Sequence, residues 1–132
     1  MNAILKYCEN CIEILNFQHY IEDDVGGNPY NCNFDIKIIS GNFSGIADKC
    51  EYDYRKWLEF IEQLKKLTSN KNNRVIMQEI GYGNKIVFES DGLGHINVSG
   101  MVYGNEMTNS LTFEFTTDQT VYSSFINQLQ NF

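Results

Sequence analysis

The sequence predicts an α+β fold: an antiparallel β-sheet of about six strands with two amphipathic helices, in the order β-β-α-β-β-β-β-α. Three observations predict it. Two segments carry apolar residues at helical spacing, most other apolar residues alternate with polar ones, and the alternating segments after the first helix are joined by short links rich in Gly and Asn. Such links force antiparallel neighbours, because a parallel pair needs a crossover of about a dozen residues or more. Strands with one apolar and one polar face suit a sheet covered by helices on a single side.

The first strand is read from the loose alternation of "CIEILNF", residues 11–17. The second is "FDIKIIS", with Phe34, Ile36 and Ile38 on one face and Asp35 and Lys37 opposite. In "DYRKWLEFIEQLKKL" the side chains of Tyr54, Trp57, Leu58, Ile61 and Leu64 fall on one face of a helix. Arg55, Lys56, Glu59, Glu62, Lys65 and Lys66 take the other face, with Glu62 four residues before Lys66 as a favourable pair. "TSNKNN" then stops the helix. "RVIMQEI" and "KIVFES" form a hairpin through "GYGN". "GHINVSGMVYG" turns Ile96, Val98 and Val102 inward, and "LTFEFTT" does the same with Leu111, Phe113 and Phe115. The last helix repeats Val121, Phe125, Leu129 and Phe132, flanked by Tyr122 and Ile126. Asp118 is placed to cap its free amides.

At 132 residues, 42% apolar and 20% charged, the chain has the size and composition of a single globular domain spanning 1–132. No repeat or linker interrupts it. "MNAILKYCENC" is interrupted by Lys6 and Glu9, too soon for a signal-peptide core, and no window is long and apolar enough for a bilayer. The expectation is a cytoplasmic protein with no membrane partner and with reduced thiols. Its formal charge of −7 argues against direct contact with nucleic acid, which needs clustered Lys and Arg. The charge is uneven: residues 1–54 hold nine acids and three bases, whereas residues 55–74 hold two acids and six bases.

Several segments carry residues suited to chemistry. Cys8 and Cys11 in "CENC" have the spacing of a zinc or redox motif, but Cys32 and Cys50 form no second pair and a strand follows. Free thiols at a hairpin end fit better, so no metal or cofactor is expected. His95 follows "SDGLG" close to Asp91, yet Ser90 and Ser99 lack the elbow of a nucleophile, and a histidine bonded to its turn is the simpler reading. The glycines form no phosphate loop. "HYIEDDVGGNPYNC" contains Glu22, Asp23 and Asp24 in a row, without the alternating oxygen ligands or the terminal glutamate of a calcium loop. That leaves a solvated acidic loop or a docking surface for a cationic partner.

The order of motifs resembles the WapI-type immunity proteins of bacterial polymorphic-toxin systems. The likeness lies in "IEDD" leading into "FDIKIISGNFSG", in "WLEFIEQLKKL", in "GHINVSG" and in "LTFEFTTDQTVYSSFINQL", covering roughly residues 12–131. "CENC" and the Gly- and Asn-rich 26–33 loop depart from the family's pattern. The resemblance implies a small cytoplasmic protein, not an enzyme. Such a protein binds and blocks the toxic C-terminal domain, often a nuclease, of a large secreted toxin. It carries over no binding residues. A nuclease is basic where it meets nucleic acid, so Glu22, Asp23 and Asp24, with Asp48, Glu51 and Asp53 before the first helix, are the expected toxin-facing residues on segments read as loops. The rival expectation is a ligand-binding or enzymatic domain using the polar sheet face around His95, Asn97, Tyr103 and Glu114, which requires a concave pocket where those groups converge.

Overall fold

The alternating segments build two sheets instead of one. The computed structural model describes residues 1–69 and 74–132. Its strands are β1 (Asn2–Tyr7), β2 (Asn10–His19), β3 (Cys32–Ser40), β4 (Phe43–Tyr52), β5 (Arg74–Gln78), β6 (Lys85–Ser90), β7 (His95–Tyr103) and β8 (Ser110–Asp118). Its helices are α1 (Ile21–Val25), α2 (Tyr54–Lys66) and α3 (Gln119–Leu129), and a 3-10 turn covers Asn105–Met107. The expected six strands are thus eight among the described residues, in two four-stranded antiparallel meanders ordered β1-β2-β3-β4 and β5-β6-β7-β8. The α+β class stands; the single sheet and the element order are corrected.

The additions to the expected order have local causes. β1 and β2 are linked through Cys8 and Glu9, with Tyr7 opposite Asn10 and Cys8 at a φ of 56°. In β4 the inward residues Ala47 and Cys50 stand three apart, because a bulge opposite Asp35 inserts an extra residue, and Tyr52 follows them inward. Lys49 in the bulge adopts a φ of 52°, and its N–H donates to the Asp35 carboxylate at 2.9 Å. That irregularity hides the strand from a period-two reading. α1 turns "IEDD", expected as loop, into a single helical turn and a half, with its acids at the positive end of the peptide dipoles.

Both sheets turn their apolar faces toward a continuous core completed by α2 and α3. Phe34, Ile36 and Ile38 are fully buried as expected, as are Ile96, Val98 and Val102. On α2 the buried residues are Trp57, Phe60, Ile61 and Leu64; Leu58, expected inside, is exposed and Phe60 takes its place. Trp57 is the hub, 4.8 Å from the Phe17 ring and 5.1 Å from Phe34. Truncating such a side chain costs about 3–5 kcal/mol. The Glu62 carboxylate takes Lys65 at 2.8 Å, not the expected Lys66. Asp118 caps α3 as expected, accepting from the Val121 N–H at 2.9 Å. Tyr122 then donates its hydroxyl to the Leu64 carbonyl at 2.5 Å, joining the two long helices. Of the expected stop "TSNKNN", residues 70–73 lie outside the described residues; Ser69 closes α2 through its N–H and hydroxyl, both on the Lys66 carbonyl.

Candidate functional site

The acidic triplet stands on a knuckle between β2 and β3. Its two ends are held together, the Tyr20 N–H donating to the Asn31 carbonyl at 2.7 Å. Within it α1 buries none of its residues. Ile21 and Val25, one turn apart, are 65% and 85% exposed, and the Glu22 and Asp23 side chains project into solvent beside them. Gly27, at a φ of 79°, reverses the chain after the helix at an angle that a side chain would strain. Asp24 is different. Its carboxylate lies 2.8 Å from His19 Nε2, and the imidazole stacks on the Tyr54 ring at 3.8 Å between centroids. Asp24 therefore ties the knuckle to β2 and to the start of α2.

Asp53 is the N-cap of α2 and accepts from the Arg55 N–H at 3.1 Å. Beside it, buried Asn31 accepts from the Tyr54 N–H at 2.7 Å and donates to the Asn28 carbonyl at 2.9 Å. Asp24 and Asp53 share the rim of a cleft of about 110 Å3 with Asn28 and Arg55. The structure thus brings Glu22, Asp23, Asp24 and Asp53 to one corner. Asp48 and Glu51, read as loop residues, stand on β4. Asp48 is exposed at the bulge and lines grooves shared with Tyr103 and Asn105. Glu51 is half-buried and its carboxylate lies against Gly81.

One acid that the sequence reading placed in a strand forms a second carboxylate centre. Glu79, 1% exposed, accepts from the backbone N–H groups of Glu51 (2.9 Å), Gly81 (2.7 Å), Tyr82 (2.9 Å) and Asn84 (3.1 Å), and from the Asn84 amide (3.0 Å). All of these donors are neutral. Asn84 in turn accepts from the Tyr103 N–H at 2.8 Å, and the Ile80 N–H donates to the Glu51 carbonyl at 2.9 Å. A Cβ on Gly81 would sit 2.7 Å from the Glu79 carboxylate, so this position admits only glycine without a shift. The arrangement clasps β4 of one sheet to the β5–β6 turn of the other. A signal was present: Val75, Met77 and Glu79 follow the inward alternation of "RVIMQEI", and an acid on the inward face calls for buried donors.

The remaining candidates resolve simply. All four cysteines are free, with Cys8 exposed, Cys11 half-buried, and Cys32 and Cys50 buried. Burial pushes the Cys32 thiol up to about 12, helped by the charges of Asp53 and Asp24, and raises Cys50 for the same first reason with Glu79 adding to it. Neither is a nucleophile at neutral pH. Among the described residues no group of three or more His, Cys, Asp and Glu could hold a metal ion. His95 bonds to its turn, with Nδ1 2.9 Å from the Asp91 carboxylate, and is exposed. Of the four groups in the rival expectation, Tyr103 and Glu114 line a depression of about 830 Å3, whereas His95 and Asn97 do not. Asn97 is engaged across the strands with Glu114 and Thr116.

No helix among the described residues is long and apolar enough to cross a membrane. Neither curated proteins nor solved structures give a match to the chain. A family model does, the Immunity protein WapI-like family, over residues 10–132. That span includes the knuckle, both sheets from β2 onward and all three helices. The chain belongs to the WapI-like family of immunity proteins, and membership implies that it binds a cognate toxin.

Proposed function

We propose that this protein works in the cytoplasm by binding, without catalysis, the C-terminal toxin domain of a secreted bacterial polymorphic toxin. The domain is basic, a nuclease being the class that fits best, and its nucleic-acid-binding face is what the inhibitor occludes. The observation that carries this reading is the knuckle: α1 keeps Glu22, Asp23 and two aliphatic side chains in water while burying nothing. A segment held in shape without contributing to the core is available to a partner. With a chain charge of −7, it steers a basic partner toward itself.

Glu22, Asp23, Asp24 and Asp53 form the primary contact, with Ile21 and Val25 as its apolar part. Asp48 and Glu51 extend the acidic surface along β4. The test is growth. The C-terminal domain of the polypeptide encoded directly upstream is expressed in a heterologous host with and without this protein. Toxicity relieved only by co-expression supports the reading, and toxicity that persists beside folded protein defeats it.

A further inference from the structure

The first sheet has two edges, and they are finished differently. In the antiparallel ladder each residue's N–H and C=O point together, alternately toward and away from the neighbouring strand. On β1 the N–H of Ile4 points outward and is taken by the Gln128 side chain of α3 at 2.7 Å. On β4 the outward groups of Glu51 are both taken, its N–H by the Glu79 carboxylate and its carbonyl by the Ile80 N–H. Following the regular register of β3, which pairs Ile36 with Ala47 and Ile38 with Gly45, the next outward residues are Ile46 and Ser44. No strand lies on that side, because β4 ends the sheet.

That open stretch borders a groove of about 640 Å3 whose far wall is Tyr103–Asn105 and Asn109–Leu111. Phe43 and Ile46 stand at it 71% and 58% exposed. Toward the bulge the groove continues past Asp48 to Glu106, with Lys49 as the one base on its lining. Unpaired backbone groups in a row call for an extended chain, the exposed aliphatic and aromatic groups for apolar side chains, and the acids for a cation. A second copy of this acidic chain would bring carboxylates together instead.

We infer that an extended, basic segment of the toxin domain lies in this groove and adds as a fifth strand to the first sheet. Its backbone pairs with Ser44 and Ile46 and its basic side chain lies beside Asp48. The inference rests on the toxin-binding reading above. Ile46→Pro removes the outward donor while leaving the β3 ladder intact, as proline is tolerated on an edge whose N–H faces solvent. Binding of the upstream-encoded toxin domain by Ile46→Pro and by Asp48→Lys is compared with wild type by calorimetry, alongside thermal melting. Each variant is expected to lose about tenfold in affinity with melting preserved.

Amide exchange on the wild-type complex decides the matter even where a variant does not fold: the Ser44 and Ile46 amides slow on binding. A toxin domain that binds while those amides exchange as in the free protein overturns strand addition alone. A free protein that already sediments as a dimer with those amides protected also overturns it, in favour of a second copy. A wild-type protein that does not bind the toxin domain overturns both readings.

Discussion

The molecule holds two carboxylate centres in connections between strands, and they are built in opposite ways. Glu79 is enclosed and receives donors from four backbone N–H groups and one amide, whereas Glu22 and Asp23 project from a helix that buries nothing. Both are acids in short segments of the sequence. The difference teaches that an acid's structural role follows from where its hydrogen bonds go: a satisfied, buried carboxylate holds the frame, whereas an unengaged one stays in solvent, as the proposed toxin contact requires.

The largest effect that sharpens this contrast is on Glu79. Glu79→Ala strands several buried donors, so unfolding in urea should show a loss of about 3 kcal/mol or more. A loss below about 1 kcal/mol would erase the distinction between the two centres. Glu22→Lys with Asp23→Lys should leave stability within about 0.5 kcal/mol of wild type. The same pair should weaken toxin-domain binding at least tenfold, about 1.4 kcal/mol, and flatten its salt dependence. Unchanged binding at every salt concentration would remove the knuckle from the interface.

Asp53 lies between the two cases, since it both caps α2 and faces the knuckle cleft. Asp53→Ala should cost about 1 kcal/mol of stability, while Asp53→Asn keeps the cap and removes the charge. Normal stability with weaker binding in Asp53→Asn would assign the charge to the partner. Equal binding would assign it to the helix.

A separate effect is alkaline. The folded state holds the Cys32 thiol up at about 12, and Cys50 above its ordinary value as well. In the unfolded chain a thiol ionises near 8.5. The unfolded state therefore gives up protons first, and stability fully present below that value falls as pH climbs toward 12. The urea midpoint should drop steadily from about pH 9, and less so in Cys32→Ala with Cys50→Ala. A midpoint that stays level over that range would contradict the burial of these thiols.

Much of the frame was legible in the sequence, and the omissions share a cause. α2, α3, β3, β7 and β8 keep one period over their whole length, so their inward faces could be named residue by residue, with Leu58 and Phe60 exchanged. β1 escaped because Ile4, on its outward face, breaks the alternation of Ala3 and Leu5. β4 escaped because its bulge shifts the phase between Ala47 and Cys50. α1 has no buried face and so leaves no periodic trace. The acids were visible as charge but not as a surface: only the structure separates the corner made by Glu22, Asp23, Asp24 and Asp53 from Asp48 and Glu51 on β4. His19 belongs to no helical metal-ligand spacing, and Asn31 stands out in no motif; both act through other residues, Asp24 and the α2 cap.

The bond between the Tyr20 N–H and the Asn31 carbonyl also sets how far the knuckle can vary without unsettling the sheets. It closes a loop whose cost of closure depends only weakly on how many residues lie inside it. Within it Asp24 and Asn28 are held by His19 and Asn31, while the exposed Ile21, Glu22, Asp23 and Val25 can be rewritten with the two sheets folding as before. If the proposed knuckle contact holds, exchanging those exposed side chains between relatives should move their toxin preference with them; unchanged preference in such a swap would count against that contact.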